Sequence, residues 1–225
     1  KADHLHHENH DRLEALLSRL VARAIERAKF AGAGVDVMAL AAVRATREAA
    51  AQSWKEAAAL YEPTDPAAAL AAYEEARRLD PGDFEVWNAI GSLHMLTGDN
   101  AAAEKAFAHV RAHADQRSVE QAWAQQGLGG VALRRGNAAE AESLFAAAYD
   151  LATSIGDERA AAGAAYNLGA LARRRGVLEE AEARLKMSLD HARKAAAPSY
   201  EARALDQLGG DKTLPYLRHD GQAEV

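Results

Sequence analysis

Four histidines at the start of the chain have the chemistry and the spacing of metal ligands. His4, His6, His7 and His10 lie within the first ten residues, and His6 and His10 would share one face of a helix. Two imidazoles at this spacing can hold a zinc ion. The zinc-protease motif H-E-x-x-H is absent, because His10 follows His7 one residue too early. We therefore predict a solvated helix start or a remnant of an upstream segment, with a metal site as the alternative.

No other arrangement of side chains predicts catalysis. The sequence has no nucleophile elbow and no P-loop, and its acidic residues fall where helix surfaces and helix caps would place them. The absence of cysteine excludes disulfides, thiolate metal sites and cysteine nucleophiles, and it fits a reducing compartment. We expect no enzyme activity, no catalytic residue, no metal and no cofactor; an enzyme or a small-ligand sensor is the alternative.

A repeated pattern of glycines shows where the helices lie that must position any functional side chain. A first series is Gly91, Gly129, Gly169 and Gly209, with spacings of 38, 40 and 40 residues. A second series is Gly98, Gly136 and Gly176, with spacings of 38 and 40. We call the first series the ladder glycines. Two series that stay in step predict a chain built from helical repeats.

One full copy of the repeat lies between Trp87 and Phe107. Glycine in mid-helix costs roughly 1 kcal/mol relative to alanine, so Gly91 requires a packing reason, and we predict that a second helix approaches closely there. Gly98 can adopt the left-handed conformation that ends a helix, and Asp99 can cap the next one. Such a hairpin has an apolar side to bury, which predicts stacking on further copies.

The pattern resembles the tetratricopeptide repeat (TPR), whose signature is W-x2-L-G-x2-Y…A-x3-F…P. The matching residues are Trp87, Ile90, Gly91, Ala103 and Phe107, with His94 in place of Tyr. Because the minimal repeat has 34 residues, periods of 38 and 40 indicate longer helices, similar to those of cargo adaptors and polarity scaffolds. The resemblance implies an all-α, right-handed solenoid of about four repeats with N- and C-terminal capping helices, acting as a scaffold that binds other proteins.

The resemblance also implies a binding groove, because the first helices of TPR repeats line the concave face. The aromatic, amide and arginine residues expected there are Trp54, Asn88, Trp123, Gln126, Arg134, Tyr166, Asn167, Arg173, Arg174 and Arg203. Amides can pair with a peptide backbone, and arginine binds carboxylates bidentately. Asn167 resembles the asparagine that longer-repeat TPR adaptors use to hold a peptide. We therefore expect an extended, acidic segment of a partner, or of the parent chain, to bind in the groove.

A purely structural role is the alternative for several of these residues. Trp54 and Trp123 could equally be spacers in the core between helix layers. Arg173 and Arg174 could be helix-end charges, which are favourable near a helix C-terminus. The full clamp by which TPR co-chaperones hold a terminal carboxylate is not evident in the first helices.

Caps and breaks predict the helix boundaries. We expect a long helical region from Asp36 to Glu62 with a bend near residues 46–52, and a following helix capped by Asp65. Ser118 and Gln121 have the spacing of a capping box. A last helix from Tyr200 to Leu208 lacks a second helix and is expected to cap the solenoid.

A strongly amphipathic helix is predicted at residues 11–29, with apolar residues at intervals of three and four. It lacks the glycine and aromatic pattern of the repeats. It could cover the open N-terminal end of the solenoid, or it could pair with a second copy in a homodimer. The second possibility makes a self-associating assembly module the alternative function.

Composition and charge narrow the remaining possibilities. The 225 residues are 49% hydrophobic, and the net charge of −6 argues against general nucleic-acid binding. No apolar run approaches the ~18 residues of a membrane span. We expect an N-terminal helical segment at 1–48, the solenoid at 49–210 and an irregular tail at 211–225. The chain begins with Lys1, so we expect a piece of a longer, cytoplasmic protein, and its alanine and arginine content suggests a bacterial source.

Overall fold

The structure, a computed structural model, describes residues 37–209, and the side chains from residue 44 onward. This range contains nine α-helices and no strand. The helices are α1 (Val37–Tyr61), α2 (Pro66–Leu79), α3 (Phe84–Thr97), α4 (Asn100–His113), α5 (Val119–Arg134), α6 (Ala138–Ile155), α7 (Glu158–Arg174), α8 (Leu178–Lys194) and α9 (Pro198–Gly209). The predicted all-α, TPR-type solenoid fold is confirmed. The histidine-rich start, the amphipathic helix 11–29 and the tail 211–225 lie outside the described residues.

The chain divides into two compact units between Val86 and Trp87, within α3. In the first unit α1 packs against α2. Helix α1 continues unbroken through residues 46–52, so the predicted bend does not interrupt it. Asp65 caps α2 as predicted, because its Oδ1 accepts hydrogen bonds from the N–H groups of Ala67 and Ala68 at 3.1 and 3.0 Å.

Two polar contacts join separate segments of the first unit. The Lys55 ammonium pairs with Asp83 at 3.0 Å and with Glu85. The Tyr73 hydroxyl donates a hydrogen bond to Glu62 Oε1 at 2.7 Å. Burial, together with this hydrogen bond, raises the pKa of Tyr73, so the hydroxyl stays protonated and keeps its acceptor.

In the second unit three of the four ladder glycines, Gly91, Gly129 and Gly169, lie where a second helix approaches closely. A Cβ placed on Gly91 would lie 2.7 Å from the ring of Phe107, and one on Gly129 would lie 2.5 Å from the ring of Phe145. A Cβ on Gly169 would lie 2.8 Å from Leu185. The prediction that a second helix approaches the mid-helix glycine is therefore confirmed at these three positions. At Gly209, which ends α9, an added Cβ would meet nothing within 4 Å. Large side chains of the second helices fill the space that the missing Cβ atoms leave.

The hairpin turns also follow the prediction. Gly98 has φ of 87°, a left-handed conformation that glycine adopts without steric cost. Asp99 Oδ1 accepts a hydrogen bond from the Ala102 N–H at 2.9 Å and so caps α4. The equivalent glycines Gly136 and Gly176 have the same conformation.

Only half of the predicted capping box forms at the start of α5. Ser118 Oγ accepts from the Gln121 N–H at 3.3 Å. The Gln121 side chain, however, turns to the end of α4, where Nε2 donates to the carbonyls of Arg111 at 2.9 Å and Ala114 at 3.3 Å. The last carbonyls of a helix have no partner within it. Gln121, only 1% exposed, therefore joins two successive repeats.

We expect the substitution Gln121→Leu to lower the free energy of unfolding by about 1–3 kcal/mol, because buried carbonyls lose their donor. Urea titration followed by far-ultraviolet circular dichroism measures the loss. Gln125→Leu in the same helix is the matched control, because Gln125 Oε1 is buried without a hydrogen-bond partner in the described chain. Equal midpoints for the two variants would contradict the assigned role of Gln121.

Candidate protein-binding face

The first helices of the repeats in the second unit, α3, α5, α7 and α9, present one side to the second helices and another away from them. Gly91, Gly129 and Gly169 lie on the side that contacts the second helices. A residue five positions after a ladder glycine lies about 140° away from that glycine around the helix axis. We call this opposite side the open face. Its residues in the second unit are Ser92, Leu96, Trp123, Gly130, Arg134, Gly163, Asn167, Ala170, Arg174 and Arg203.

Aromatic rings and one arginine cluster across α5, α7 and α9. Trp123 of α5 stacks on Tyr200 of α9, with ring centroids 6.3 Å apart. The Arg203 guanidinium lies over the Tyr166 ring at 4.2 Å and near the Tyr200 ring at 5.4 Å. Cation–π contacts of this kind hold a guanidinium in place while leaving N–H groups for other acceptors. Three predicted groove residues, Trp123, Tyr166 and Arg203, are thus brought together.

Tyr200 was not among the predicted groove residues, although it completes this cluster. It reaches α5 by crossing α7 at Gly163, where a Cβ would lie 3.0 Å from the Tyr200 hydroxyl. Burial raises the pKa of Tyr200. One signal in the sequence could have revealed the crossing, because Gly163 belongs to neither glycine series and so needs a contact of its own.

The predicted amides fall into two groups. Asn88 Nδ2 donates to the Glu120 carbonyl at 3.0 Å, and Gln126 Nε2 donates to the Ala160 carbonyl at 3.2 Å. Both side chains are buried, at 8% and 7% exposure, and each joins a first helix to the next. Asn167 is half-buried and its amide has no hydrogen bond to any described residue. Of the three, Asn167 is therefore the amide best placed to contact a partner.

The arginines near the ends of α5 and α7 also fall into two groups, according to whether they form ion pairs. Arg135 binds Glu104 with two hydrogen bonds of 2.8 and 2.5 Å, and Arg175 binds Glu142 at 2.7 Å. The hydrogen bonds from Arg135 lower the pKa of Glu104. The preceding residues, Arg134 and Arg174, are exposed and have no ion pair or hydrogen bond within the described chain. One arginine of each pair thus joins repeats, and the other is presented on the open face.

Two further predicted groove residues, Arg173 and Trp54, make contacts within the chain. Arg173 is half-buried and donates to the Gln207 carbonyl at 2.7 Å and to Gln207 Oε1 at 3.2 Å, which satisfies an acceptor near the end of α9. Trp54 lies in the first unit, where it packs on the cluster of Ala50, Ala51 and Leu79. The core interpretation of Trp54 is compatible with this packing.

A separate polar cluster joins α6, α7 and α8 through one imidazole. His191 Nδ1 lies 2.5 Å from Glu158 Oε2, and Nε2 lies 3.1 Å from the Tyr149 hydroxyl. In the neutral state one ring nitrogen donates to the carboxylate while the other accepts from the hydroxyl. Burial raises the pKa of Tyr149, which keeps this hydroxyl protonated at neutral pH. The cluster therefore connects successive repeats.

The Glu158 contact predicts how stability depends on pH. The hydrogen bond from His191 lowers the pKa of Glu158 below 4.5, so its contribution is present above that pH and is lost as the pH falls through the folded pKa. We expect His191→Phe to reduce the loss of stability between pH 5 and pH 3, measured as urea midpoints. Tyr149→Phe, which keeps the carboxylate contact, should retain the wild-type slope. Parallel curves for wild type and His191→Phe would contradict this account.

Two classes of site have no support in the part of the chain that the structure describes. Within residues 37–209 no three histidine, aspartate or glutamate side chains are grouped as they would be to hold a metal ion. Among the described helices, none has the length and apolar character needed to cross a membrane.

Comparison with known proteins supports the repeat assignment. A tetratricopeptide repeat family model matches residues 60–128, and a model of the YcjX-like family, DUF463, matches residues 1–83. No curated protein matches the sequence significantly.

Several solved structures share the fold. BtubC (BKLC) from P. vanneervenii is 16% identical, with a TM-score of 0.55 over 89% of this chain and 82% of its own. TTC0263, a thermophilic TPR protein of Thermus thermophilus, is 20% identical, with a TM-score of 0.51 over 72% of this chain and 93% of its own. PilF of Pseudomonas aeruginosa is 16% identical, with a TM-score of 0.52 over 89% and 94%.

The repeat geometry, the family match and these structures agree on a helical-repeat fold of the TPR type. The chain therefore has a TPR-type fold, with a match to the tetratricopeptide repeat family model over residues 60–128. Its repeats of 38 and 40 residues are longer than the minimal 34. As a class, TPR proteins bind other proteins and are generally not enzymes.

Proposed function

We propose that the open face of the second unit binds an extended, acidic segment of another protein. The observation that carries the proposal is the pair Arg134 and Arg174, which occupy the same position in successive repeats. Both are exposed and have no acidic partner in the described chain. Repeated cations at one position suit a ligand that crosses the first helices in turn.

The surrounding side chains complement such a ligand. Carboxylates can bind arginine through two parallel hydrogen bonds, which gives directional as well as electrostatic recognition. Asn167 can both donate to and accept from a peptide backbone. Arg203 adds a third cation, held on the Tyr166 ring. The chain as a whole is acidic, with a net charge of −6, so a locally basic face favours acidic ligands at this surface over the rest of the molecule.

Selection from a phage-displayed library of random 12-residue peptides tests the proposal. The wild-type chain should enrich peptides with two or more aspartates or glutamates. The Arg134→Gln/Arg174→Gln variant should lose these peptides while keeping the wild-type circular dichroism spectrum.

The chain supplies a matched control for this experiment. Arg135→Gln/Arg175→Gln removes the same charge from the adjacent positions, where the arginines bind Glu104 and Glu142. This variant should still enrich acidic peptides. Retention of the same peptides by the folded Arg134→Gln/Arg174→Gln variant, or enrichment of peptides without acidic residues by the wild type, would overturn the proposal.

Self-association through the amphipathic pattern at residues 11–29 is the second candidate. The observation favouring it is the regular spacing of Leu13, Leu16, Leu17 and Leu20 on one helical face. We expect the mass from light scattering to rise with concentration and to stay monomeric when Leu16 and Leu20 are replaced by glutamate. A monomeric wild type across the concentration range would exclude this candidate.

A further inference from the structure

We infer that the bound segment carries an apolar side chain in register with its acidic ones, a specificity that rests on the proposed function. The open-face position five residues after each ladder glycine holds Leu96 in α3, Arg134 in α5 and Arg174 in α7. Leu96 is 65% exposed, so its side chain is accessible to a bound segment. The same position therefore changes from apolar to cationic along the row of first helices.

Met95, the residue before Leu96, is a second apolar side chain near the end of α3. Met95, half-buried, lies against α5, where a Cβ on Gly130 would be 2.7 Å from the Met95 Cε. Methionine adapts its shape to an incoming apolar group. We call Met95 and Leu96 the apolar patch.

The spacing of the first helices sets the spacing within the ligand. Packed helices have axes about 8–10 Å apart. An extended chain advances about 3.3 Å per residue, so adjacent helices are about three residues apart along the ligand. A segment that places an apolar residue on the apolar patch would therefore place acidic residues on Arg134 and Arg174 at intervals of about three. The pattern is apolar-x-x-acidic-x-x-acidic, read in the order α3, α5, α7.

This complementarity distinguishes the ligand from a merely acidic chain. A carboxylate beside Leu96 would lose solvation without gaining a cation. An apolar group beside Arg134 or Arg174 would similarly displace water from an unpaired charge. Each mismatch is unfavourable, so the row of residues selects an order as well as a composition.

Deep sequencing of the selected 12-residue peptides tests the inference. The wild type should enrich an apolar residue about three positions from the nearer of two acidic residues. Leu96→Ser should abolish the preference for an apolar residue and retain the preference for acidic ones. In a polarisation titration, it should bind a fluorescein-labelled peptide selected by the wild type about tenfold more weakly. Leu178→Ser is the matched control, because Leu178 is an exposed leucine at the start of a second helix; it should leave the affinity unchanged.

The outcomes separate this inference from the proposed function. Acidic peptides without a positioned apolar residue, or an apolar preference unchanged by Leu96→Ser, would overturn the inference and leave acidic binding intact. Peptides without acidic residues, or no enrichment at all, would overturn both. An equal loss of affinity for Leu178→Ser would also overturn the inference, because the effect would then not belong to the open face.

Discussion

The substitution Gly127→Ala is expected to lower the free energy of unfolding of the second unit by about 1–3 kcal/mol, although alanine is the better helix former. The added Cβ would lie 2.4 Å from the ring of Phe107. Phe107 is only 2% exposed, and the same ring edge lies 2.7 Å from where a Cβ on Gly91 would stand. The ring therefore has little room to move away, and the helices α3 and α5 must separate.

Gly130→Ala is the matched control for this prediction. Gly130 lies in the same helix, but its added Cβ would meet the end of the flexible Met95 side chain. Met95 can adopt another rotamer, so we expect no loss and a gain of up to about 1 kcal/mol from helix propensity. Urea titration of both variants measures their free energies of unfolding. If Gly127→Ala were as stable as Gly130→Ala, Phe107 would not be confined as the structure indicates.

A second substitution can confirm that the clash with Phe107 is the cause. Phe107→Leu shortens the side chain and should itself be destabilising, because it leaves space in a packed core. Adding Gly127→Ala to Phe107→Leu should cost less than adding it to the wild type. Non-additivity of this sign identifies a direct contact between the two positions.

The repeat architecture could be predicted from the sequence because its signals are local and recur. The first three ladder glycines, the left-handed Gly98 and the Asp99 cap each have the role in the structure that the pattern indicated. Each of these roles depends on the backbone of one hairpin. Repetition at 38 and 40 residues then shows that the hairpins stack.

Pairings between repeats could not be predicted in the same way. Asn88, Gln126 and Gln121 all have the side chains expected of a groove or a cap, yet each donates to a carbonyl of another helix. Which carbonyl lies within reach depends on how two helices cross, and no residue spacing encodes that. Helical periodicity could indicate which residues share a face with Arg134 and Arg174, whereas the internal use of these amides could not be predicted.

The adjacent arginines illustrate the same limit. Arg134 and Arg135 differ by about 100° around one helix, which separates the open face from a contact with Glu104 of the preceding repeat. Sequence shows two basic residues at a helix end and gives both a favourable place there. Which of the two arginines forms an ion pair depends on the position of Glu104, 31 residues before Arg135.

Charge reversal at Arg134 and Arg174 should have the largest effect on binding. Arg134→Glu/Arg174→Glu changes the net charge from −6 to −10, since each substitution removes one positive and adds one negative charge. Like charges placed together at an interface cost several kcal/mol, so a wild-type-selected acidic peptide should bind about 100-fold more weakly or worse. Polarisation titrations of the labelled peptide measure the change, and circular dichroism verifies the fold.

The reversal also predicts a rescue that general loss of structure cannot produce. A peptide with lysine in place of its two acidic residues should bind the reversed variant more tightly than the wild type, and salt should weaken both matched complexes. Arg135→Glu/Arg175→Glu has the same net charge of −10. It should continue to bind the acidic peptide, because Arg135 and Arg175 pair with Glu104 and Glu142 within the chain. If this control lost affinity equally while remaining folded, the overall charge of the chain, and not the open face, would account for the recognition of acidic segments.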